Sequence, residues 1–216
     1  YFNNEENESK RKKLFPPIKK LPISLSQKFQ FNYLANCAEE VTKYNHAAVQ
    51  YIHNMLTTKN PIFDVSKLSR KFLNKKTAKE NLRQILVLLS QMRTVSGICL
   101  SNYEYPEILS TFASLISNFR SLKIVHFSNC GATTGLKDLA DSIVKSNNNR
   151  ISYWDLSYNK FNNFEPFATI ISNSKSPVRY INLNYCEISH SGSIAFFDAL
   201  ANFERVHQLQ YLSIAK

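Results

Sequence analysis

Apolar residues in the second half of the chain fall into one pattern repeated four times. Aligned on the first apolar position, the copies read VSGICLSNY from Val95, LKIVHFSNC from Leu122, ISYWDLSYN from Ile151 and VRYINLNYC from Val178. A fifth, LQYLSIAK from Leu209, runs to the end of the chain. Within each copy the apolar positions are one, four and six, with Asn or Cys favoured at nine, and polar residues fill most other places. Between copies, apolar residues recur at three- and four-residue steps, which predicts helices over 107–118, 136–145, 164–172 and 193–202. Each copy is therefore a short strand followed by a helix, and successive copies start 27 to 31 residues apart.

The template L-x-x-L-x-L-x-x-N/C is that of a leucine-rich repeat. Units this long resemble the ribonuclease-inhibitor-like subclass, which implies parallel strands on a concave face and full helices on a convex one. The expected fold is thus α/β, a leucine-rich-repeat solenoid over 95–216 with an N-terminal helical cap. Positions one, four and six point into the core, and Trp154 is read as filler there. The ninth position is Tyr103, Cys130, Asn159 and Cys186. Asn at this corner can satisfy buried backbone groups of its neighbours with its amide, and Cys is a common substitute.

Upstream, residues 27–94 read as a helical cap plus a degenerate first repeat. Leu34, Cys37 and Ala38, then Val41, Tyr44, Ala48, Tyr51, Ile52 and Met55 give helical spacing over 27–57. Asn60-Pro61 ends the helix. A short strand at 62–65 follows, with Phe63, Val65 and Leu68 in the last three places of the template. A helix over 77–91 turns Leu82, Ile85, Leu86 and Leu89 inward, with Thr77 as N-cap and Glu80 as its capping-box partner. Such a cap covers the core edge that a first repeat exposes. Residues 1–26 form a basic linker broken by Pro16, Pro17 and Pro22, expected to lie as an extended strap on a neighbouring domain. A chain that starts at Tyr1 and stops inside a repeat is expected to be part of a longer protein.

Charge adds a second feature. Residues 1–120 carry 18 Lys and Arg against 9 Asp and Glu, whereas residues 121–216 carry 9 against 7. Lys10, Arg11, Lys12, Lys13, Lys19 and Lys20 lead the excess and are the candidate contacts to an anionic membrane surface. Nucleic acid is the less favoured partner, and a solvated linker is the plain alternative. There is no apolar run of membrane-spanning length and no signal-like start, so a cytoplasmic location is expected. Strands about 4.8 Å apart would put Cys130 and Cys186, two repeats apart, at roughly 10 Å. A disulfide fails beyond about 7 Å, so reduced thiols are expected.

The variable strand positions define the candidate site. Position three carries Gly97, Ile124, Tyr153, Tyr180 and Tyr211; position five Cys99, His126, Asp155, Asn182 and Ser213; position eight Asn102, Asn129, Tyr158, Tyr185 and Lys216. Tyr153, Tyr158, Tyr180, Tyr185 and Tyr211, with Asp155 and Asn182, gather on the concave face as the candidate protein-binding residues, since tyrosine gives large contact area at small entropy loss. A purely structural tyrosine ladder is the alternative. No catalytic, metal or cofactor site is expected: His46, His53, His126, His190 and His207 are scattered, and Gly131–Lys137 lacks the lysine placement of a phosphate loop.

The stretch Cys37-Ala38-Glu39-Glu40-Val41, followed by Ile62-Phe63-Asp64-Val65-Ser66-Lys67-Leu68, resembles the CARMIL family of actin-regulatory leucine-rich-repeat proteins. The likeness covers about residues 10–216. It implies a non-enzymatic cytoplasmic scaffold at the cell cortex or plasma membrane, with protein partners in actin filament assembly. It also implies a lipid-binding domain before the linker, and a dimerising region and capping-protein-binding motifs beyond the repeats.

Overall fold

The computed structural model describes residues 24–39, 45–68, 78–146, 149–161, 163–175 and 178–215. Two helices come first, α1 (Leu25–Glu39) and α2 (His46–Leu56). Strand β1 (Ile62–Asp64) leads through a 3₁₀ turn at Val65–Lys67 towards helix α3 (Ala78–Ser90). Four strand–helix units follow: β2 (Gly97–Cys99) with α4 (Ile108–Leu115), β3 (Ile124–His126) with α5 (Leu136–Ser146), β4 (Tyr153–Asp155) with α6 (Glu165–Ser172), and β5 (Tyr180–Asn182) with α7 (His190–Ala201). A second 3₁₀ turn, Val206–Gln208, precedes β6 (Tyr211–Ser213).

The six strands form one parallel sheet in chain order, β1 to β6. Its register is that of the sequence alignment: Phe63, Ile98, Val125, Trp154, Ile181 and Leu212 lie in one row. Side chains alternate across a strand, so this row faces the helices while its neighbours face away. The first five of the row are buried, Phe127 meets Phe112 of α4 edge-on and Trp154 meets Phe167 of α6 edge-on. Leu212 is 40 % exposed on the edge strand β6, after which no helix follows among the described residues. The degenerate strand at 62–64 is thus a full member of the sheet, and Phe63, Val65 and Leu68 are buried as the template required.

Asn159 carries the load expected of position nine. Its Oδ1 accepts from the amides of Cys130 (3.1 Å) and Ala132 (3.0 Å). Its Nδ2 donates to the carbonyls of Phe127 (2.7 Å), Leu156 (2.8 Å) and Ser157 (3.2 Å). Cys130 and Cys186 are free thiols that donate to the carbonyls of Leu100 (2.9 Å) and Leu156 (3.1 Å). A feature the apolar pattern did not signal sits one residue earlier. Asn102, Asn129, Tyr158 and Tyr185 all have left-handed backbone, with φ of 57°, 52°, 59° and 55°. Asn tolerates that region; Tyr does so at a steric cost.

The N-terminal helices need one correction. Leu34 is exposed, and the buried pair on α1 is Phe29 and Tyr33, whose rings stack at 5.8 Å. On α2 the expected Ala48, Ile52 and Met55 are buried, and Asn45 caps the helix by accepting from the Ala48 amide (2.9 Å). Thr77, the proposed cap of α3, lies outside the described residues, as do Val41, Tyr44 and the whole basic cluster Lys10–Lys20. Glu80 pairs with Arg83 (3.0 Å). No described helix is long and apolar enough to cross a membrane.

Candidate functional site: the face opposite the helices

Two rows of side chains stand on the strand face opposite α4–α7, as the alternation of the strands dictates, and a further aromatic pair lies past the strand ends. The first is an aromatic stack. Tyr153 and Tyr180 lie 4.0 Å apart between ring centroids and Tyr180 and Tyr211 lie 4.3 Å apart, both within 6° of parallel. That spacing is slightly under the separation of neighbouring strands, so the rings close directly over the backbone ladder. Burial, then the neighbouring Tyr180 hydroxyl, pushes the Tyr153 phenol up, which keeps it neutral. Tyr211 ends the stack and is 41 % exposed.

Tyr158 and Tyr185 form a second stack at 4.7 Å beyond the strand ends, and each is about half exposed. They line a cleft of about 840 Å³ with Phe161, Ile188 and the ion pair Lys160–Glu187 (2.7 Å). The five tyrosines named from the sequence therefore make two stacks, one over the strands and one past their ends.

Between the stacks runs a polar row. His126 Nε2 is 3.3 Å from Asp155 Oδ2, which also accepts from the Asn182 amide (3.0 Å). The other oxygen, Oδ1, accepts from the Ser157 amide (3.1 Å) and hydroxyl (2.6 Å). Asp155 is 5 % exposed with both oxygens engaged, so it orders the surface from beneath. Asn182 is half-buried beside it. On the far side of His126, its Nδ1 lies 3.6 Å from Cys99 Sγ. The Cys99 hydrogen bond, then the carboxylates of Asp155 and Asp64, hold His126 above its ordinary value against burial. Among the described residues no cluster of His, Cys, Asp or Glu could hold a metal ion.

The structure also gathers a basic group that the sequence reading missed. Lys59, Arg93, Arg120, Lys123 and Arg150, all exposed, line a cleft of about 490 Å³ with Asn60, Thr94, Ser96 and Ser121. They come from the connections that precede β1 to β4. None has a carboxylate partner among the described residues, whose salt bridges are elsewhere. Counting charge by halves of the chain hid this group, because the stack joins residues from both halves along one sheet edge. Reading the column just before each repeat would have found it: Arg93, Arg120 and Arg150 all stand one or two residues ahead of the first apolar position.

No protein-family model matches this chain, and no curated protein matches it in sequence.

Proposed function

We propose that this chain is a leucine-rich-repeat interaction scaffold without enzymatic activity, whose strand face with the two tyrosine stacks receives protein partners. The carrying observation is the in-register stack of Tyr153, Tyr180 and Tyr211 beside the exposed pair Tyr158 and Tyr185. The rings are held rigid by each other and by the strands, so little side-chain entropy is lost when a partner covers them. Aromatic anchors of this kind, next to a cleft, are what binding hot spots use. The sequential parallel sheet, with a helix between each strand and the next, supports the repeat reading. The resemblance in the 37–41 and 62–68 segments extends it to a CARMIL-like regulator of actin filament assembly at the membrane.

A pull-down from native cytoplasm with wild type and with Tyr153, Tyr180 and Tyr211 all changed to Ala tests this reading. Loss of specific partners, actin-assembly factors among them, by a variant that keeps its far-UV circular dichroism is expected. Retention of every partner by the folded variant would move the interaction off this face.

A second reading has its own observation. The cleft of Lys59, Arg93, Arg120, Lys123 and Arg150 favours an anionic ligand such as a phosphorylated headgroup. Binding to vesicles with and without phosphorylated inositol lipid, across a salt series, checks it: the affinity should fall steeply with salt and drop in Arg93→Glu/Arg150→Glu. Equal binding by that variant would contradict it.

A further inference from the structure

Cys99 is the described cysteine with a proton acceptor beside it. Its Sγ lies 3.6 Å from Nδ1 of His126 and 3.4 Å from the hydroxyl of Ser101. The opposite ring nitrogen faces the buried carboxylate of Asp155 at 3.3 Å. Adjacent strands supply the three groups in register, Cys99 opposite His126 and His126 opposite Asp155. A fixed carboxylate behind an imidazole, and the imidazole beside a thiol, is the arrangement that converts a weak thiol into a nucleophile. Cys130 and Cys186 provide the contrast. Both give their S–H to backbone carbonyls, and burial pushes them up to about 12 and about 11.

We propose that Cys99 is a redox-sensitive nucleophile that reacts with hydrogen peroxide, with His126 as the proton donor and Asp155 as the residue that positions it. His126 Nδ1 takes the Cys99 thiol proton, and the thiolate attacks one peroxide oxygen, forming an S–O bond as the O–O bond breaks. The bonding pair of the O–O bond leaves on the second oxygen as hydroxide, and the His126 imidazolium gives it the Nδ1 proton to make water. Sulfur is oxidised by two electrons to the sulfenic acid, and the peroxide is reduced by the same two.

The surroundings favour this step over acyl transfer. An acyl intermediate needs N–H donors aimed at its oxyanion. The nearby amides are all engaged: those of Leu100 and Asn102 donate to the carbonyls of His126 (2.8 Å) and Ser128 (3.0 Å), and that of Ser101 donates to the Cys99 sulfur itself. Peroxide needs no such donors, and it is small enough for a half-buried thiol. Burial opposes the Cys99 anion, yet the hydrogen bonds from His126 and Ser101 outweigh it and bring the thiol below its ordinary value. Around the pair stand Tyr51 from α2, Asp64 from β1, and Tyr153 and Asp155 from β4. Both tyrosines are pushed up, mainly by burial, and stay neutral, while the two carboxylates help hold the imidazolium.

The test exposes the full chain to hydrogen peroxide with dimedone present, and reads each cysteine by peptide mass spectrometry between pH 6 and 9. Cys99 should be trapped at least about tenfold faster than Cys130 or Cys186. Its rate–pH midpoint should lie below the ordinary thiol value of about 8.5. His126→Gln should lower the Cys99 rate about tenfold at pH 6.5. A Cys99 rate equal to that of glutathione at pH 6.5, or unchanged in the folded variant, would overturn the proposal. If H126Q does not fold, the wild-type profile decides: a midpoint at or above about 8.5 overturns it.

Discussion

Changing Asn159 to Ala removes one side chain that ties two successive strand–helix units together. The amides of Cys130 and Ala132 lose their acceptor, and the carbonyls of Phe127 and Leu156 lose a donor. Asn159 is 1 % exposed, so water does not replace these partners freely. An orphaned buried donor costs about 1–3 kcal/mol. Two of them, plus the weaker carbonyl losses, give a destabilisation of about 3–5 kcal/mol, a large share of the roughly 5–15 kcal/mol typical of a domain. Asn159→Cys should lose about 1 kcal/mol less, because a thiol at this corner donates to a carbonyl as Cys130 and Cys186 do. Urea unfolding gives the two differences, and hydrogen exchange shows whether the Cys130 and Ala132 amides lose protection first. A loss below about 1 kcal/mol with both amides still protected would refute the reasoning.

Three further outcomes follow from individual contacts. Tyr180→Ala breaks both ring contacts of the central stack and should destabilise by about 1–3 kcal/mol in urea unfolding, at the sum of two aromatic pairs. Tyr158→Val should be less stable than Tyr158→Asn by about 1 kcal/mol or more, because a β-branched residue suits φ 59° poorly and Asn suits it well; equal stabilities would mean the turn relaxes. His126 should titrate by NMR above its ordinary value of about 6.5 and fall in Cys99→Ser, since the Cys99 hydrogen bond is the largest cause of its rise. A histidine raised on folding adds stability that is fully present below about pH 6.5 and lost as pH rises through the folded value; a titration at or below 6.5 would contradict the linkage.

Much of the architecture was legible in the sequence because the strand period is two and the repeat template is long. The inward row from Phe63 to Ile181, the buried Trp154, and the structural roles of Asn159, Cys130 and Cys186 all follow from template position alone. The same logic puts Tyr153, Tyr180 and Tyr211 in one column and Tyr158 and Tyr185 in another, and each column is a stack. It could not tell a stack from loose neighbours, since ring tilt depends on sheet twist and packing. All five rings stack, Tyr180 between Tyr153 and Tyr211, and Tyr158 and Tyr185 still expose about half their area. On α1 the periodicity pointed at Leu34, yet the buried pair is Phe29 and Tyr33. Apolar residues lie on several sides of that helix, so spacing alone did not fix which side turns inward. Cys99, His126 and Asp155 share position five of the template, but position alone does not give the 3.6 Å approach of thiol and imidazole. The basic edge escapes a reading by halves of the chain, because its residues align only in the column just before each repeat.

The central claim is that partners land on the tyrosine face. Its most direct test is acetylation of tyrosine hydroxyls by N-acetylimidazole, read by mass spectrometry for the free chain and for its complex with a captured partner. Tyr158, Tyr185 and Tyr211, the exposed members of the two stacks, should label in the free chain and be protected in the complex. Full labelling of all three in the complex would contradict the account.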